Sequence, residues 1–61
     1  MNGTQTTTLA VANSATWDAD NAIRNVIKGG VDDAAKAKLD EALKLLAEVR
    51  KTLDAAYEVS K

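Results

Sequence analysis

The reading of this chain turns on residues 32–59, DDAAKAKLDEALKLLAEVRKTLDAAYEV. Within it Leu39, Ala42, Leu46, Val49, Leu53 and Ala56 follow the alternating three- and four-residue spacing of a heptad seam. That period belongs to a helix with one apolar stripe, not to a strand. Ala35 extends the stripe backward, and Leu43 and Leu45 flank it, widening the apolar arc to about 160°. The opposite side carries Lys36, Asp40, Lys44, Glu48, Lys51, Asp54 and Glu58. Acid-first pairs such as Asp32/Lys36 and Asp40/Lys44 suit helix spacing. Asp32 or Asp33 caps the start, so a long helix is expected over about 32–59.

Working outward, Gly29 and Gly30 supply a helix stop immediately upstream. Before them, Ala15, Ala19, Ala22, Ile23, Val26 and Ile27 recur at helical spacing. Asp18 and Asp20 favour the positive end of the helix dipole, and Arg24 and Lys28 the negative end. Asp20 and Arg24 are also an i,i+4 pair. A short helix over about 15–28, capped by Ser14 or Thr16, is expected. Trp17 falls outside its apolar face, with Asn21, Asn25 and Lys28.

Residues 1–13, MNGTQTTTLAVAN, carry no charged side chain and four threonines. Threonine and valine lose χ1 freedom in a helix, so this stretch reads as an extended Thr-rich arm. The fold class expected is therefore all-α: an antiparallel helical hairpin over 14–61, forming one small domain, with an extended N-terminal arm over 1–13.

Composition narrows the chemistry. The 61 residues contain no Cys, His, Pro or Phe, and twelve of the apolar residues are alanine. Thiolate chemistry, disulfides and the commonest neutral-pH acid/base are therefore missing. Formal charge is −1, which gives no electrostatic footprint for nucleic acid or an anionic membrane surface. There is no long apolar run, and no Lys or Arg precedes Arg24 as a signal peptide would require. The localisation expected is cytoplasmic, or within an assembled particle.

The local patterns that could carry chemistry read as structure. Asp18-Ala19-Asp20-Asn21 opens like a calcium loop, but Ala22 and Ile23 stand where a ligand and a glycine are needed. Lys28-Gly29-Gly30 lacks the other parts of a phosphate loop. Asp32 and Asp33 cap a helix. Ser14 and Ser60 have no histidine to activate them. Lys36, Lys44, Arg50 and Lys51 share one side of the long helix with Asp33, Asp40, Asp54 and Glu58, which cancel any phosphate-binding ridge. Asn2-Gly3-Thr4 matches a glycosylation pattern without a secretion signal. No enzyme activity, cofactor or metal is expected.

The expected helices differ in reach. About 13 residues span roughly 20 Å, and about 27 span roughly 40 Å. The short helix would shield the seam only to about Leu46. Val49, Leu53, Ala56 and Tyr57 would continue bare. Association is the expected remedy, through Leu39, Leu43, Leu45, Leu46, Val49, Leu53, Ala56 and Tyr57, with Trp17 as an anchor or packed locally on the arm, and Leu9 and Val11 in a clasping arm. The alternative is a self-sufficient monomer whose arm folds back and lays Leu9 and Val11 over Leu53 and Tyr57. Two functional classes follow: a non-enzymatic assembly subunit that homo-oligomerises, such as a small virion component, or a regulatory binder (adaptor, antitoxin-like or inhibitor) docking a helix on another protein.

Overall fold

The computed structural model describes residues 1–60; Lys61 lies outside the described residues. Two helices make up the chain: α1, Gly3–Lys28, and α2, Asp33–Ser60. No strand is present among the described residues. The all-helical hairpin agrees with expectation; the extended arm and the short first helix do not.

The arm is helical because its first residues cap it. Asn2 Oδ1 accepts from the Gln5 backbone N–H at 2.8 Å, and Gln5 Oε1 accepts from the Asn2 N–H at 3.0 Å. This reciprocal capping box satisfies two donors that a helix start leaves free. The threonines then turn inward on their own helix. The Thr6, Thr7 and Thr8 hydroxyls donate to the carbonyls of Asn2, Gly3 and Thr4 at 3.1, 3.0 and 2.9 Å. Threonine's cost in a helix is partly offset when its hydroxyl finds the carbonyl one turn back. Ser14 and Thr16 are accordingly not caps. Thr16 sits mid-helix, donating to the Asn13 carbonyl at 2.7 Å.

The turn is as the glycines foretell. Gly29 remains right-handed, its N–H donating to the Asn25 carbonyl, and Gly30 at φ 97° takes the left-handed position. Asp32 opens α2: its Oδ1 accepts from the Ala35 N–H at 2.8 Å and its carbonyl from the Lys36 N–H at 2.9 Å. Of the expected ion pairs, Asp20–Arg24 forms at 2.7 Å, whereas Lys36 reaches forward to Asp40 at 3.5 Å.

The helices are nearly equal in length, 26 and 28 residues, so the mismatch in reach disappears. The result is a ribbon one helix thick, with Cα extents of 45 × 16 × 9 Å. Its radius of gyration, 14.3 Å, exceeds the roughly 10.5 Å of a compact chain this long. A single layer can pair only one face of each helix, and among the described residues no hydrophobic side chain is fully buried.

Asn2→Ala is expected to cost about 1 kcal/mol and to fray the first turns of α1. Hydrogen exchange at the Gln5 and Thr6 amides reads this directly. An unchanged exchange rate at both would mean that the terminal helix does not depend on its cap.

Candidate interaction surface

The inner seam determines which residues are left outside. On α1 the half-buried and buried positions include Thr6, Leu9, Asn13, Thr16, Asp20, Ile23 and Ile27, a seam with strict heptad spacing and a polar centre. On α2 the facing side runs Leu39, Leu43, Leu46, Arg50 and Leu53 and continues to Tyr57, which lines a groove against α1. Of the expected α2 seam, Leu39, Leu46 and Leu53 belong to it, and Ala35 and Ala42 are half-buried at its edge. The intervening positions are shifted by one residue: Leu43 and Arg50 point inward, while Val49 and Ala56 are exposed.

The centre of the seam is polar. Asp20 is the only buried residue among those described, at 2% exposure. Its Oδ2 accepts from Arg24 Nε at 2.7 Å, and its Oδ1 faces Arg50 Nη1 at 3.8 Å. That approach is an ion pair but too long for a hydrogen bond. Arg50 also stacks its guanidinium 3.8 Å from the centroid of the Trp17 ring. Arg24 of the same helix already pairs with this buried carboxylate, and Arg50 adds a second cation from across the seam, its inward position going with the rotation of α2. Two expectations are thereby corrected. Arg50 does not belong to a solvated basic face, since its side chain is only 13% exposed. Trp17, expected on the polar side of α1, stacks on Arg50 of α2, with half of it still accessible.

Beyond Trp17, the N-terminal half of α1 and the C-terminal half of α2 enclose a shallow groove of about 300 Å³. Thr6, Leu9, Ala10, Asn13, Leu53, Asp54 and Tyr57 line it. Leu9, Leu39, Leu43, Leu46 and Leu53 thus serve the hairpin's own contact.

The remaining apolar residues form a second stripe on each helix. On α1 it runs Thr8, Ala12, Ala15, Ala19, Ala22 and Val26; on α2 it runs Ala42, Leu45, Val49, Thr52, Ala56 and Val59. Both keep heptad spacing, and each lies about 110° round from its helix's seam in the same rotational sense. Since the helices are antiparallel, equal rotations bring both stripes to the same side of the ribbon. Val26, Leu45 and Val49 are 53%, 61% and 44% exposed there. Ala15 and Ala22, expected on the buried face of α1, belong to this outer surface, and Val11 stands exposed beside it.

The sequence reading named Leu45, Val49, Ala56 and Val11 as candidate interface residues and placed Ala15, Ala19, Ala22 and Val26 on the apolar face of α1, without their continuation to Ala12 and Thr8. The signal was present in the spacing from Ala12 to Val26, hidden by assigning residues 1–13 to an arm. No helix among the described residues is long and apolar enough to cross a membrane, and none of their acidic residues cluster as a metal site would require. No protein-family profile, curated protein or solved structure matches the chain.

Arg50→Ala leaves Asp20 with Arg24 alone and removes the stack on Trp17, and is expected to cost about 1–2 kcal/mol. Replacing both Asp20 and Arg50 by leucine should be neutral or stabilising, because an apolar pair needs no desolvation of charge. Urea unfolding at fixed chain concentration, followed by Trp17 fluorescence, distinguishes the two. Equal losses in both variants would remove the ion pair from its central place.

Proposed function

We propose that the chain is a non-enzymatic assembly subunit that works by packing the exposed apolar face of its hairpin against another helical surface. One observation carries this reading: no hydrophobic side chain among the described residues is fully buried, while Val26, Leu45, Val49 and the alanines Ala12, Ala15, Ala22 and Ala56 lie open on one side. Contiguous exposed apolar surface on a small chain is costly unless a partner covers it. A 61-residue chain without disulfides has few other means of stabilisation. The reading places the interaction on the outer face, whereas Leu53 serves the hairpin itself. Self-association or a stoichiometric place in a larger particle are both uses of such a face.

The test is molar mass by sedimentation equilibrium from micromolar to millimolar chain, with helicity measured alongside. The expected result is a discrete oligomer. The double change Leu45→Asp and Val49→Asp should yield a helical monomer, since both side chains point outward. Leu53→Asp should instead lower helicity, because it places a charge between the two helices. A wild-type chain that stays monomeric and fully helical throughout would overturn the reading.

A further inference from the structure

Resting on that assembly reading, we propose that the occupant of the apolar face is a second copy of this chain. The two copies are related by a two-fold axis parallel to the helices, so that α1 of each lies on α2 of the other.

The surface area favours an occupant of this size. A compact 6.4 kDa protein exposes about 3,800 Å², whereas this chain exposes 4556 Å². The excess, about 750 Å², is close to the roughly 800 Å² that each partner buries in a standard stable interface. One further two-helix layer laid on the ribbon supplies it and completes a two-layer bundle.

The orientation follows from the steric profile of the face. Two fixed points set the level of the helices: Trp17 lies against Arg50, and Ala10 and Asn13 share a groove with Asp54 and Tyr57. Counting along from these, Ala22 stands level with Leu45, Ala19 with Val49, Val26 with Ala42, and Ala12 with Ala56. A two-fold axis along the helices preserves these levels while exchanging α1 for α2. Three large residues of one copy therefore meet alanines of the other, Leu45 on Ala22, Val49 on Ala19 and Val26 on Ala42, while towards the chain ends Ala12 meets Ala56 and Val59 stands level with Thr8. The face is its own complement. A two-fold axis across the helices would instead set alanine on alanine and leucine and valine on each other, leaving gaps at one side and crowding at the other.

Charge agrees with size. Lys38 continues the α2 stripe by one step and is its one charged position. In the proposed arrangement it stands level with Gly29 and Gly30 of the second copy, where α1 ends. The free carbonyls and negative dipole end there favour a cation. Every neighbouring pair of helices in the resulting bundle is antiparallel.

The chain has no cysteine, so engineered thiols report the geometry without background. Contact through alanine brings helix axes to about 8 Å, and facing Cβ atoms then come within bridging reach. Chains carrying only Ala22→Cys are mixed with chains carrying only Leu45→Cys and oxidised, and Val26→Cys with Ala42→Cys serves as a second pair. Chains carrying only Ala15→Cys are oxidised separately. The expected product is the mixed disulfide in both pairs, with Ala15→Cys remaining largely uncoupled because it faces Thr52. If Ala15→Cys couples to itself while the mixed pairs do not, the orientation proposed here is overturned and the assembly reading survives. An oligomer that forms no disulfide in any arm likewise overturns this arrangement alone. A chain that is monomeric at every concentration and forms no disulfide overturns both.

Discussion

Arg50 sits where a heptad reading places no charge, and the rest of the structure is arranged around that. Asp20 is sealed between the helices with its carboxylate held by Arg24 of the same helix, and Arg50 turns inward from α2 as a second cation facing it. The turn brings Leu43 into the seam and Tyr57 into the groove, and sends Val49 and Ala56 out. A buried ion pair adds little net stability over an apolar pair of the same shape, but it strongly disfavours any arrangement that strands one charge. In the rotation observed, Leu39, Leu46 and Leu53 face α1 together with Leu43 and Arg50.

That rotation has a consequence on the far side of the helix. Residues expelled from the inner seam join Leu45 to form the second stripe, and the alanines of α1 fall on the same side of the ribbon. The exposed apolar side of the ribbon is thus the counterpart of the inner seam, made of the positions that the seam leaves out. The Trp17 ring over Arg50 fits the same picture: a partly exposed aromatic shields a cation that would otherwise draw water into the seam.

The case for association has also changed its ground. The sequence argued from unequal rods, one too short to cover the other, and the rods are nearly equal. What leaves apolar surface bare is thickness. Two helices side by side form a single layer, and a single layer has no interior to hold a second stripe.

Much of this was legible in the residues themselves. The helical period of 32–59, the glycine stop, the Asp32 cap and the Asp20–Arg24 pair all depend on neighbours within a turn or two, and such local chemistry can be read from sequence. So could the Asn2/Gln5 capping box, had β-branching in the threonines not been given more weight than the hydroxyl bonds that offset it. What only the tertiary structure decided is which side of each helix faces the other. Leu39, Leu46 and Leu53 belong to both the expected and the observed seam, and the observed one also brings together Asp20 and Arg50, thirty positions apart. A periodicity along one helix carries no information about a charge on another.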